Sequence, residues 1–191
     1  MRIIAGSLKG RPLAPVKGRI RPTAAKVREA IFNIIGEAVG EARVLDLFAG
    51  TGALGIEALS RGARDAVFVE EDSSALNVLR RNLETLGLED RSRVLPLSVN
   101  AALKKLTAQG EVFGLVFMDP PYGRDAAAAA LRNLAGSPLL QVRAWVVAEH
   151  SRREILPEAL DSLALYRLRR YGDTQVAFYL SGEQSEIQEG A

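Results

Sequence analysis

The 191-residue chain contains no cysteine and a single histidine, His150. Disulfides, thiolate metal sites and a cysteine nucleophile are therefore excluded, and so is any site built from several histidines. Aromatic residues are scarce, 6% of the chain, and its one tryptophan, Trp145, reads as core. Long apolar runs are missing too, since none approaches the roughly 18 residues that suggest a membrane span. The opening MRIIAGSLKGRPL has neither a continuous apolar region nor a small-residue cleavage pattern of the secretory kind. These absences predict a cytoplasmic chain with no membrane partner and no metal cofactor.

A hydrophobic fraction of 48% and a charged fraction of 25% are those of one ordinary domain with an ample core. The charge is unevenly placed. Residues 1–28 hold Arg2, Lys9, Arg11, Lys17, Arg19, Arg21, Lys26 and Arg28 and no acidic residue, so +8 sits at one end of a chain whose total is only +2. Basic charge concentrated on one segment of an otherwise acidic chain is the pattern of a polyanion contact, with a solvated basic arm as the alternative.

Glycines and prolines punctuate residues 5–22, which predicts turns or short β pieces. Ile3, Ile4, Leu8 and Leu13 would pin them to the body as a small hairpin. Thr23 looks like an N-cap for a helix carrying Val27, Ala30, Ile31, Ile34 and Ile35 at helical spacing and ending near Gly36. Strand and helix patterns then alternate. Strands are expected at Arg43–Phe48, Ala66–Glu70, Val94–Leu97, Leu115–Met118 and Trp145–Ala148. Helices are expected at Ala53–Ser60, Ser73–Leu86 (capped by Ser73 or Ser74), Ala101–Gln109, Ala126–Leu134 and around Pro157–Leu163. A closing hairpin would join Ala164–Tyr171 to Thr174–Leu180 through Gly172-Asp173. Apolar strands alternating with helices imply an α/β fold with a parallel sheet covered on both faces, which binds ligands at the carboxyl ends of its strands. Three units result: a basic N-terminal β extension over 1–22, a main domain over 23–181, and a polar, acidic tail over 182–191 expected to be disordered.

The first strand runs into Asp46-Leu47-Phe48-Ala49-Gly50-Thr51-Gly52-Ala53-Leu54-Gly55. Gly50, Gly52 and Gly55 satisfy G-x-G-x-x-G between strand and helix, where a backbone without side chains can approach a ligand closely. Phe48, Ala49, Gly50, Thr51 and Gly52 are thus candidate cofactor contacts. Glu70, with Glu71 beside it, ends the second strand 20 residues beyond Gly50, where a carboxylate can grip both ribose hydroxyls. This spacing fits a nicotinamide cofactor or S-adenosylmethionine alike. Asp46 favours the second, because its charge attracts the methionyl ammonium and does nothing for a pyrophosphate. Asn100-Ala101, after the third strand, offers a donor and an acceptor for an adenine edge, or simply an N-cap.

The fourth strand ends in Asp119-Pro120-Pro121-Tyr122. Two prolines fix the backbone and remove two N–H donors, leaving a row of acceptors. The Asp119 carboxylate and the Pro120 carbonyl can each accept one N–H of an exocyclic amine, directing its lone pair outward and stabilising the positive charge that develops during methylation. Tyr122 can stack on the target base, worth about 1–3 kcal/mol. His150 is not required, so a structural role is expected for it. Asp-Pro-Pro-Tyr occurs also in adenine-N6 DNA methyltransferases, but no separate domain for reading duplex sequence is evident. An oxidoreductase would leave the motif unexplained, and an inactive RNA-binding protein would not need Asp119 and Glu70.

With MRIIAGSLKGRPL, RPTAAKVREAIFN, LDLFAGTGALGIEALSRGA, FVEED, MDPPYG and the closing YGDTQVAFYL, the chain resembles the bacterial 16S rRNA guanine-N2 methyltransferase family, which modifies guanine 966. The resemblance extends to about residue 181. It implies a Rossmann-like class I methyltransferase with a seven-stranded, mostly parallel sheet whose last strand is antiparallel. It implies S-adenosylmethionine as methyl donor, and 16S rRNA in a small-subunit assembly particle as partner. It places Arg21 and Thr23 near the cofactor or the target base. A monomer is expected, with Arg2, Lys9, Arg11, Arg19, Arg21 and Arg28 as the RNA-contacting cations.

Overall fold

The computed structural model describes residues 1–16, 25–121 and 126–182. Thr23, Arg19, Arg21, Tyr122 and most of the acidic tail lie outside these residues. The chain opens on a bridge between Arg2 and Pro12 that buries Ile3 and Leu13, as the hairpin expectation required. It continues through α1 (Ala25–Ile35), β1 (Arg43–Leu47), α2 (Ala53–Ser60), β2 (Asp65–Val69), α3 (Ser73–Leu86), β3 (Ser92–Leu95), α4 (Val99–Ala108), β4 (Phe113–Met118) and α5 (Ala126–Ala135). The order closes with β5 (Leu140–Ser151), β6 (Ala159–Leu160), β7 (Leu163–Tyr171) and β8 (Thr174–Ser181).

The strands form one sheet in the order β3-β2-β1-β4-β5-β8-β7-β6. From β3 to β5 every pairing is parallel, and β8 runs antiparallel to both β5 and β7. Among the described residues the expected seven strands are thus present with the last one reversed, and the two-residue β6 makes an eighth. β6 replaces the helix expected around Pro157–Leu163. Leu160 and Leu163 pair directly across a turn in which Asp161 takes a positive φ of 43°. Pairing with the neighbouring strand, rather than local helix propensity, decides this segment.

Side chains alternate across the sheet, as strand geometry requires. Val44, Phe68, Leu115, Phe117 and Val147 pack on one face with Ile31 and Phe32 of α1, Ile56 of α2, and Leu79 and Leu83 of α3. Leu45, Leu47, Val67, Val116, Met118 and Val146 pack on the other with Leu103 and Leu106 of α4 and Leu131 and Leu134 of α5. Trp145 meets Phe178 edge-on, with ring centroids 6.5 Å apart. Both layers are apolar enough to anchor the strands rigidly, which is what positions the loops at their ends. α3 begins at Ser73 as expected, but its N-cap is Asp72 and not Ser73 or Ser74: the Asp72 side chain accepts the Ala75 N–H at 2.9 Å. No helix among the described residues is long and apolar enough to cross a membrane.

The chain winds outward from β1 to β3, then returns to β4 on the other side of β1. The carboxyl ends of β1 and β4 therefore flank a topological switch point, the usual ligand crevice of an open α/β sheet.

Candidate active site

At that crevice lies a cavity of about 730 Å³, within the range of small-molecule and cofactor sites. Its floor begins with Asp46, 2% exposed, whose Oδ2 accepts the Gly55 N–H at 3.0 Å. Only glycine allows this approach. A Cβ at position 55 would stand 2.3 Å from Phe68 Cε1 and 3.1 Å from the Asp46 carboxylate. Burial pushes the Asp46 carboxyl up to about 7; the Gly55 N–H opposes the shift, while the charges of Asp119 and Glu70 add to it.

The chain leaves β1 through Phe48, whose φ of 61° is left-handed. For an aromatic residue such a conformation costs about 1–3 kcal/mol and persists only where the surroundings impose it. Here the next residue is fastened across the sheet, with the Ala49 N–H donating to the Val69 carbonyl at 2.9 Å. Gly52 turns the loop into α2 with φ 81°, and its missing Cβ would have come within 2.5 Å of Leu79.

Glu70 binds the two loops together. Its Oε2 accepts the Gly50 N–H at 2.8 Å, and its Oε1 accepts the Glu71 and Asp72 N–H groups at 2.9 Å each. A carboxylate offers about four lone-pair sites, so three backbone bonds leave it little capacity. One further hydrogen bond fits, at Oε2, against the two that the expected grip on both ribose hydroxyls calls for.

Asp46, Phe48, Ala49, Gly50, Thr51, Glu70, Glu71, Asp119 and Pro120 all line the cavity. Gly52 is buried behind the loop. Asn100 and Ala101 are exposed and stand outside the walls, which are formed instead by Leu97 and Val99. The reason is the start of α4. Ser98 caps it, so Asn100 falls within the first turn and its Oδ1 accepts from Asn133 Nδ2 of α5 at 2.8 Å. At the end of β4, Asp119 is half-buried, Pro120 buried and Pro121 exposed, and all three border the cavity.

The basic N-terminal segment reaches further than its charges suggested, because Met1, Pro15 and Val16 form part of the cavity wall. Glu57, 1% exposed, accepts the Ile4 and Ala5 N–H groups at 2.8 and 3.0 Å. Asn82 accepts the Ala14 N–H at 2.8 Å and donates to the Thr51 carbonyl at 3.0 Å, joining the segment to the glycine loop. Arg2, Lys9 and Arg11 are exposed. Arg28 is not: it is 1% exposed, and its guanidinium donates to the Arg2 carbonyl at 2.7 Å. It anchors the segment instead of displaying charge, and burial lowers its pKa against the opposing pull of Glu57.

Two residues follow each other at the end of β5. His150 is 3% exposed, and its Nδ1 lies 3.0 Å from the carbonyls of Ser151 and Glu154. Burial lowers its pKa, countered by those carbonyls and by the Glu154 charge, and the ring closes the turn that follows β5. Glu149, passed over in the sequence, is 5% exposed and lines the cavity. No local pattern marks it: the pairing of β5 with β4 is what sets it level with Asp119. Among the described residues, no group of three or more His, Cys, Asp or Glu side chains is arranged to hold a metal ion.

The family model described as conserved hypothetical protein 95 matches residues 1–180. The Bacillus subtilis protein YlbH is 42% identical over 180 residues, covering 94% of this chain and 98% of its own. The ribosomal RNA small subunit methyltransferase D of Escherichia coli K12 is 34% identical over 187 residues, covering 97% and 92%. The solved structure of the Escherichia coli methyltransferase-type protein yhhF superposes with a TM-score of 0.83 at 34% identity, covering 95% of this chain and 98% of that one. With a methyltransferase fold, and a family model matched over almost its whole length, the chain belongs to the conserved hypothetical protein 95 family.

Proposed function

We propose that the protein methylates the exocyclic N2 amine of guanine 966 in 16S rRNA, using S-adenosylmethionine, during maturation of the small ribosomal subunit. It acts as a monomer in the cytoplasm, on an assembly particle. The observation that carries this reading is the position of Asp119 and Pro120 on the same cavity as the Gly50 loop, one strand away.

The donor set suits the cofactor. The buried Asp46 carboxyl faces the cavity as a counter-charge for an ammonium, Glu70 stands where a ribose hydroxyl would be accepted, and Leu97 and Val99 offer apolar contact for a purine ring. When bound, S-adenosylmethionine supplies a methyl group on cationic sulfur, which takes the electron pair of the broken C–S bond. The protein's part is to present the amine. The Asp119 carboxylate and the Pro120 carbonyl accept its two hydrogens, and the missing N–H groups of Pro120 and Pro121 remove competing donors. Asp119 then stabilises the charge growing on nitrogen. The methylated ammonium is acidic and releases its proton to water, so His150 has no step to perform. Tyr122 stacks on the base, and Arg2, Lys9 and Arg11, with Arg19 and Arg21, meet the phosphates.

The small-subunit name of the Escherichia coli relative supports the choice of polymer. The test is transfer of labelled methyl from S-adenosylmethionine to unmodified small-subunit RNA and particles. Label is expected in guanine, and replacing Arg2, Lys9 and Arg11 together should flatten the salt dependence of RNA binding. No label in guanine at any assembly stage would overturn the reading.

A further inference from the structure

Glu149 has no task in the reaction just proposed, yet it is a buried carboxylate beside the reacting end of the cavity. The register of β4 and β5 pairs Met118 with Ala148, so Asp119 and Glu149 follow at the same level on adjacent strands, roughly 4.8 Å apart along the sheet. Phe117 and Val147 point into the layer under α1–α3, and the two-residue alternation returns Asp119 and Glu149 to that same face. Both line the cavity.

Two neighbouring carboxylates select among bases by donor pattern. Three nucleobases carry an exocyclic amine. Adenine and cytosine place a ring acceptor, a lone pair, beside it, and guanine alone places a ring N–H there. With Asp119 on the amine, a second carboxylate one strand over meets the neighbouring ring position. It finds a donor only in guanine, and faces an electron pair in the other two.

We propose that Glu149 is a specificity-determining residue that accepts the N1–H of the target guanine and thereby excludes adenine and cytosine. This rests on the guanine-N2 reading above and adds to it the residue that chooses the base.

The test uses small-subunit particles and free 16S rRNA carrying, by ligation of a synthetic segment, guanine, 2,6-diaminopurine, 1-deazaguanine or adenine at the target position. 2,6-Diaminopurine keeps the 2-amine but turns N1 into an acceptor. 1-Deazaguanine keeps the amine and the 6-oxygen and replaces the N1–H by C–H. For the unaltered protein, kcat/KM should fall roughly 10- to 100-fold from guanine to either analogue. In Glu149→Gln, whose amide can accept from guanine or donate to an acceptor ring nitrogen, the guanine-to-diaminopurine ratio should collapse toward unity. Affinity for S-adenosylhomocysteine should stay unchanged.

Equal use of guanine and both analogues by the unaltered protein would overturn the proposal. So would a Glu149→Gln protein that loses activity on both bases in the same proportion. The 1-deazaguanine arm decides the matter without any variant, should Glu149→Gln fail to fold. Label appearing in adenine, or in no base, would instead bring down the guanine reading itself, and the role of Glu149 with it.

Discussion

The two ends of the parallel sheet treat their charges in opposite ways. At the amino end, carboxylates meet guanidinium groups. Arg43 pairs with Asp65 at 3.0 Å and also with Glu111, and Arg93 reaches Glu111 at 2.8 Å. At the carboxyl end, Asp46, Glu70, Asp119 and Glu149 gather around one cavity. There Asp46 and Glu70 are held by backbone N–H groups of Gly55, Gly50, Glu71 and Asp72. An arginine cancels a carboxylate's charge as it binds it. A backbone N–H fixes the carboxyl group in space without bringing a cation of its own, so the charge the group carries when ionised can act on a visitor. The amino end is therefore built for stability, and the carboxyl end gathers its acidic groups at the cavity, as the proposed cationic ligand and target amine would require.

If that contrast is right, substitutions at the carboxyl end change function far more than stability. The largest effect is expected for Asp119→Ala: turnover on rRNA falls on the order of 10²–10³-fold, as for loss of one preorganised partner of the transition state. Calorimetry should find S-adenosylhomocysteine binding largely kept. Loss of cofactor affinity instead would make this loop part of the cofactor's own site. Next is Glu70→Ala, which strips three N–H groups of their acceptor. Hydrogen bonds to a charged group contribute about 1.5–3 kcal/mol each, so the two loops should loosen and the Kd of S-adenosylhomocysteine should rise roughly 10- to 100-fold. Unaltered affinity would show that Glu70 is neither a ribose ligand nor the clasp of the glycine loop.

Much of this architecture was legible in the chain because the periodic segments are long and well punctuated. Ala53–Ser60 and Ser73–Leu86 form helices at the residues expected, bounded by Gly52 on one side and by Asp72 and Gly87 on the other. What stayed hidden depends on partners far away in sequence. Arg28 reads as a surface cation until the Arg2 carbonyl, 26 residues earlier, is found against it. Asn100 reads equally as an adenine contact or as a helix N-cap until Ser98 claims the cap of α4 and Asn100 pairs with Asn133. Glu149 became visible as a site residue only through the register of β4 and β5, which no local pattern encodes. The segment at Ala159–Leu160 carried no helix because its pairing partner, β7, lies just ahead of it.

A smaller and graded effect is expected from pH. Folding raises the Asp46 carboxyl from 3.8 to about 7, so the folded state favours its protonated form. The stability this confers is complete below pH 4 and is lost as pH rises through 7, at up to about 1.4 kcal/mol per unit. Ligand binding runs the other way. An ammonium prefers the ionised carboxylate, so the affinity for S-adenosylhomocysteine should climb by up to about tenfold per unit toward pH 7 and then level off. Asp46→Asn should remove both dependences, melting higher than the unaltered protein at pH 8 and binding the ligand weakly and evenly from pH 5 to 7. Parallel pH profiles for the two proteins would mean that Asp46 does not face the ammonium.

The least effect belongs at the other end of the sheet. Glu111→Gln removes the charge shared by Arg43 and Arg93; the Glu111 side chain is 11% exposed, and those of the arginines 25% and 40%. The glutamine amide keeps a hydrogen-bond acceptor for the two guanidinium groups, and solvent at the arginines screens part of the lost charge, so the cost is on the order of 1 kcal/mol. For a chain of this size that lowers Tm by roughly 2–4 °C, a shift thermal melts resolve. Methyl transfer and cofactor affinity should not move, because the amino and carboxyl ends are separated by the length of the strands and the rigid apolar layers between them. A Glu111→Gln protein with altered affinity would show that charge at one end of the sheet is felt at the other, and that their division of labour is incomplete.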